Sequence, residues 1–285
     1  MLFFVPHPPL SSLIAIEKYL EMGQDWRPMS DIQRKFVRGV YAERADLGFF
    51  RERELKTFAG QSASRLNEIL KTEGFDIRLQ ELGPDGIGAV SIMKIVFEWI
   101  SKATKFPMRV DGKSYSFLKF KEGFSVLHSP DHGFPVIRLE AMGGYEVFVT
   151  VQGDRRTIPN DGFALHDAID KIVSSAGKVP DEFDFLKMPS IKVKADIDIS
   201  WIIGLKIAQR GKKGVIIEQA REQVKLEVNE HGVKAEAAAA VGTRSSEYGL
   251  TIDESFFIRI KKAGVKKTIL DGFIDRDGWV EIPPR

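Results

Sequence analysis

An α+β fold is predicted, helix-rich over residues 1–88 and sheet-rich over residues 89–285, from three features of the sequence. Amphipathic stretches with helical spacing, interrupted by glycines, fill the chain as far as Thr72. From Ser114 onward come short runs rich in β-branched and aromatic residues. Between those runs lie VDGK, SPDHG and MGG, whose Gly, Pro and Asp are the turn chemistry of successive antiparallel strands.

Ser11–Glu21 reads as the first helix. Ser11 or Ser12 is its candidate cap after Pro8–Pro9, Leu13, Ile16 and Leu20 share a face, and Gly23 stops it. Pro28 to about Thr72 reads as further helices broken near Gly39, Gly48 and Gly60. Its Arg and Lys interleave with Glu and Asp, as on a solvated face. Ala89–Ile100 is apolar enough for a helix or a buried strand, and periodicity does not separate the two. Strands are expected at Ser114–Phe120, Gly123–Ser129, Val136–Ala141 and Tyr145–Gln152. Asp161–Ser175 returns to a helix, Pro189–Asp196 to a strand, and Ile199–Ile207 to a short helix before the basic turn Arg210–Lys213. Within Val215–Glu230, Val224, Leu226 and Val228 alternate with Lys225, Glu227 and Asn229, the signature of a half-buried strand. Ser255–Lys261 and Thr268–Ile274 complete the set around a turn at Gly264.

Composition narrows the function classes. The 285 residues carry 42 Lys+Arg against 40 Asp+Glu, a net charge of +2. That balance lacks the basic excess of a dedicated nucleic-acid binder. With no cysteine, disulfide scaffolds, thiol nucleophiles and Cys-based metal sites are excluded. No apolar run is long enough to span a bilayer, so no membrane partner is expected. MLFFVPHPP is apolar but has no basic n-region and is broken by Pro6, so a signal peptide is not expected and a cytoplasmic location is.

No catalytic set emerges, and the chain is not expected to be an enzyme or to carry a cofactor or metal. There is neither a Gly-x-Ser-x-Gly elbow nor a Walker loop. Gly86-Ile87-Gly88 lacks a third glycine at dinucleotide spacing and reads as a turn. His128 and His132 flank Pro130, so they sit in a loop and not on one helix face as zinc ligands would. Asp196 and Asp198 read as caps of the following helix before they read as an acid/base pair.

One segment stands out: Val224–Gly242, VKLEVNEHGVKAEAAAAVG. After the strand and a bend at Gly232 comes a run of small residues. Alanine and glutamate are strong helix formers, so a helix is one reading. With period two, Val233, Ala235, Ala237 and Ala239 share one face while Lys234, Glu236, Ala238 and Ala240 share the other. A strand with such small side chains could enter between existing strands without steric cost.

The wording of this segment resembles the hinge of the serpin reactive-centre loop, where a strand ending Val-Asn-Glu-Glu-Gly leads into an alanine-rich run. LTIDESFFIRI at Leu250–Ile260 is similar to that family's strand after the loop, and TILDGFID at Thr268–Asp275 to its last core strand. PPLSSLIAIEKYLEMG at Pro8–Gly23, Lys121–Gly153 and Met188–Ile207 resemble further family segments in the same order. The resemblance covers about two-thirds of the chain and implies a single serpin-like domain over 1–285, shortened between Gly23 and Gly86, with a reactive loop at 230–251.

What the resemblance implies is a suicide substrate without catalytic residues of its own. A target protease cleaves the loop, the hinge inserts as an extra strand, and the acylated protease is trapped. The hinge residues would be Glu230, Gly232, Val233, Ala235, Ala237, Ala238, Ala239 and Ala240. Counting from the hinge puts the scissile bond near Ser246–Glu247; a shortened loop favours Arg244–Ser245, which would select a trypsin-like protease as partner. A monomer is expected. The alternative is a non-inhibitory serpin-fold protein acting as a binding or regulatory module.

Overall fold

The computed structural model describes residues 1–23, 25–83, 86–152, 157–178, 183–208, 214–232 and 248–283. The chain opens with β1 (Leu2–Phe4) and α1 (His7–Leu20), followed by β2 (Trp26–Arg27) and α2 (Asp31–Gly39). A 3-10 segment (Tyr41–Phe49) precedes β3 (Leu55–Gly60), α3 (Ala63–Thr72) and β4 (Gly88–Met93). Then come β5 (Thr104–Val110), β6 (Lys113–Phe120), β7 (Phe124–His128), β8 (Val136–Ala141) and β9 (Tyr145–Val151). After α4 (Gly162–Ser174) follow β10 (Gly177–Lys178), β11 (Phe185–Pro189) and β12 (Ile191–Ile197). A 3-10 turn (Ser200–Ile202) leads to β13 (Lys206–Ile207), β14 (Val215–Ile216) and β15 (Glu222–Val228). β16 (Gly249–Thr251), β17 (Phe256–Lys262) and β18 (Leu270–Ile274) end the series.

The strands assemble into antiparallel and mixed sheets, as the α+β class requires. A seven-stranded sheet has the order β1-β18-β17-β9-β8-β7-β10, and a four-stranded one β16-β11-β6-β5. The latter is mixed, because β11 pairs parallel to β16 and antiparallel to β6. Two antiparallel ribbons stand beside them, β3–β4 and β12–β15. The main core lies between these sheets, around Phe117, Leu118, Leu139, Ile258 and Ile260. On the opposite face of the large sheet, α4 buries Leu165, Ile169 and Ile172 against Phe257 and Phe273. A cluster around Leu10, Leu13, Trp26 and Phe36 seats α1 and α2.

Several elements fall as the sequence predicts. The Asp161 carboxylate accepts from the Ala164 amide at 2.9 Å and starts α4. The alternation in β15 buries Val224, Leu226 and Val228 and leaves Lys225 exposed. Others are corrected. The first helix begins at His7, not at Ser11, because Pro8 and Pro9 occupy first-turn positions where a missing N–H costs nothing. Ser11 and Ser12 lie inside it, and the Ser11 hydroxyl donates to the Pro8 carbonyl at 3.2 Å. Leu55–Gly60, expected among helices, is a strand, because it pairs with β4 from Leu55↔Met93 to Gly60↔Gly88. That pairing also resolves the Ala89–Ile100 segment as strand followed by extended chain. The helix expected over Ile199–Ile207 shrinks to Ser200–Ile202: Gly204 turns the chain at φ +87° and β13 follows. Pro189–Asp196 divides at Ser190 between β11 and β12, which belong to different sheets.

Candidate functional site

Two strand edges face one another across a slot. β4 pairs with β3 and β15 pairs with β12, and among the described residues β4 and β15 do not pair with each other. Between them is a cavity of about 630 Å³, lined by Val90, Ser91 and Met93 from β4 and by Glu222, Val224 and Leu226 from β15. Leu13 and Ile16 of α1 form its inner wall. On the outer side, residues 74–82 run as a strap from α3 to β15. Asn67 holds the strap at Leu79 through both amide groups, at 2.8 and 2.9 Å. Gln223 and Gln219 accept from the Asp76 and Gln80 amides at 3.2 and 2.8 Å, and Lys194 forms an ion pair with Asp76.

At the head of the slot the chain after β15 makes a tight turn. Asn229 N donates to Gly232 O at 2.9 Å, Gly232 N returns to Asn229 O at 3.2 Å, and the Asn229 side chain accepts from the His231 amide at 3.0 Å. The turn is held against the extended chain beyond β4. Trp99 N donates to His231 O and Ala103 N to Glu230 O, both at 3.0 Å, and the Trp99 indole N–H donates to Asn229 O at 2.9 Å. Gly232 is required here. It sits at φ +136°, and a Cβ on it would lie 2.2 Å from the Phe97 carbonyl oxygen. Glu230 is half-buried, with Lys105 Nζ and His231 Nε2 each 3.8 Å from a carboxylate oxygen.

Of the hinge residues read from sequence, Glu230 and Gly232 therefore form this turn. Val233, Ala235, Ala237, Ala238, Ala239 and Ala240, with the candidate scissile residues Arg244, Ser245, Ser246 and Glu247, lie outside the described residues, as does Arg210–Lys213. Asp198 accepts from the Ser200 amide at 2.9 Å, but it is not the cap: Ile199 holds that position, with no side-chain cap bond. Asp196 instead accepts from the Gln223 side chain at 2.7 Å. His128 ends β7, and His132 lies in the following hairpin within 2.9 Å of Val151 O.

Sequence reasoning missed Trp99 and Glu222. The signal for Glu222 was present: continuing the β15 alternation backwards puts it on the apolar face. There it is buried, and burial pushes its carboxyl well above the usual carboxylate range.

No protein-family model matches the chain, and no curated protein sequence matches it. Solved structures do. Human thyroxine-binding globulin in complex with thyroxine superposes with a TM-score of 0.59 at 12% identity, over 95% of this chain and 91% of that one. Human glycosylated kallistatin gives 0.54 at 14% identity, over 96% and 90%. Native protease nexin-1 with heparin gives 0.54 at 14% identity, over 94% and 96%. At these identities the likeness is one of fold: the chain has the serpin fold.

Proposed function

We propose that this chain is a divergent serpin-type protease inhibitor that acts as a suicide substrate. A trypsin-like protease would take Arg244 into its acidic specificity pocket and attack the Arg244 carbonyl with its serine. The bond to Ser245 breaks, the Ser245 amine leaves, and the protease remains esterified to Arg244. Residues 233–240 then enter the slot as a strand between β4 and β15.

The observation that carries this reading is the slot itself, two facing strand edges with the turn Asn229–Gly232 fixed at its head. That turn also defines a register. Continued down β15 from the Asn229↔Gly232 pair, an inserting strand would set Val233 opposite Val228, Ala235 opposite Leu226, Ala237 opposite Val224 and Ala239 opposite Glu222. These fall on the buried face of β15. On the other face Lys234 would come opposite Glu227 and Glu236 opposite Lys225. Both are opposite-charge pairs, each worth roughly 0.2–1 kcal/mol across a sheet. Lys225 gains most, since burial and the neighbouring cations Lys194 and Lys94 hold its pKa below the usual lysine range.

A second reading is a non-inhibitory binding protein. It draws on the strap, which bonds to Gln223 of β15 and to Gln219 before it across the slot's outer face, and on the thyroxine carried by one structural neighbour. Incubation with trypsin separates the two. Inhibition yields an SDS-stable complex and a cleaved chain that melts at higher temperature. Cleavage within residues 242–249 with no complex and no gain in Tm removes the inhibitor reading and leaves the second.

A further inference from the structure

Behind the β12–β15 ribbon lies a second cavity, of about 300 Å³, enclosed by the residues 1–6, by β12 with the 3-10 turn after it, and by the start of α4. Its apolar wall is aromatic. Trp201 stands between Phe36 and Phe163, with ring centroids 5.0 and 5.1 Å away. The charged side chains among its described lining residues are all carboxylates, Asp161, Asp196, Asp198 and Glu222, and the α-ammonium of Met1, also in the lining, is paired with Asp275 at 3.2 Å. Three of the carboxylates are committed, to the Ala164 amide, the Gln223 side chain and the Ser200 amide. Glu222 is different. It is 7% exposed, and its Oε1 has no hydrogen-bond partner among the described residues. A buried carboxyl oxygen without a donor is destabilising, and nothing in the pairing of β15 requires one at this position.

We propose that this cavity binds a small organic cation, an amine on an aromatic or aliphatic body, with its ammonium group donating to Glu222 and its body against the rings of Phe163 and Trp201. An ammonium offers three donors and no acceptor, which suits a site whose charged side chains only accept. Aromatic faces attract a desolvated cation through their quadrupole. The volume suits a molecule at the small end of the ligand range. An amine would satisfy Oε1 and convert the buried carboxyl from a liability into half of an ion pair. Glu222 also borders the slot, so the site is tested on the uncleaved chain, where no strand has entered.

The test is calorimetric titration of the full chain with phenethylamine, 2-phenylethanol and phenylacetate, three probes of similar size and different charge. Phenethylamine is expected to saturate and to raise Tm, with 2-phenylethanol at least tenfold weaker and phenylacetate not binding. Glu222→Gln should weaken phenethylamine tenfold or more and leave 2-phenylethanol unchanged. Trp201→Leu, which alters this cavity alone, should weaken the amine; Leu79→Ala, which alters only the slot, should not. Equal binding of the alcohol and the amine, an unaltered amine affinity in Glu222→Gln, or no saturation by the amine would overturn the proposal. If Glu222→Gln fails to fold, the ranking of the three probes on the unsubstituted chain decides alone.

Discussion

The indole N–H of Trp99 donates to the carbonyl of Asn229 at 2.9 Å, joining residues 130 positions apart. Through this bond the chain leaving β4 grips the turn leaving β15, and the head of the slot is closed while its length stays open. Trp99→Phe keeps an aromatic ring beside Phe97 and Phe120 but removes the donor. The expected cost is about 1–2 kcal/mol, read as a lower urea midpoint, with faster amide exchange at His231 and Gly232.

Gly232→Ala places a methyl group where the Phe97 carbonyl oxygen stands, 2.2 Å from the ideal Cβ. Either the turn or the chain at Phe97–Glu98 must move. A loss of at least about 1–3 kcal/mol is expected, measured by chemical denaturation. Gly39→Ala, with open space around the glycine, should be neutral or stabilising.

Arg259 and Asp271 are direct partners across β17 and β18, and both side chains are buried, at 2% and 0% exposure. Arg259 donates twice to Asp271, at 2.6 and 2.9 Å, and again to Asp170 of α4 at 2.5 Å. Arg259→Met leaves Asp271 charged and buried with fewer donors. The expected cost is about 3–5 kcal/mol. Arg259→Met/Asp271→Asn should recover part of it, since the stranded charge is then gone.

His7 is buried with neither ring nitrogen hydrogen-bonded among the described residues. Desolvation lowers its pKa from the ordinary 6.5 to about 4. As pH falls below 6.5 the unfolded chain takes up this proton before the native state does. The native state's advantage is therefore full above pH 6.5 and lost between 6.5 and 4, about 3 kcal/mol over that span. Glu222 works the other way. Its raised pKa penalises the native state at neutral pH, and the penalty is relieved on acidification. Comparison with His7→Leu isolates the histidine: the stability difference in favour of the variant should grow as pH is lowered from 7 to 4.

The charge register of the inserting strand is open to reversal. Glu236→Lys would set two lysines opposite each other, and Lys225→Glu in the same chain would restore the pairing. If insertion uses this register, the cleaved single variant should gain less Tm than the cleaved parent, and the double variant should recover the difference. An equal gain in all three chains would exclude this register.

Sequence and structure divide along the range of the forces involved. α4, the alternation of β15, and the strands β8, β9, β17 and β18 were all legible, because side-chain period acts over a few residues. β3 was not, since its strand state comes from pairing with β4, from Gly60↔Gly88 out to Leu55↔Met93. Nor was the helical start at His7, where the serine signal at Ser11 masked the tolerance of a first turn for proline.

By itself the sequence determined the α+β class, the resemblance of the Val224–Gly242 segment to a serpin hinge, and the absence of thiol chemistry. Tertiary structure alone decided that β4 and β15 stay unpaired across a cavity, that Trp99 closes its head, and that Glu222 is buried without a donor on Oε1. Which face a residue takes is set locally by backbone period. Which edges meet, and which polar atoms find partners, depends on how distant segments fill the space between them.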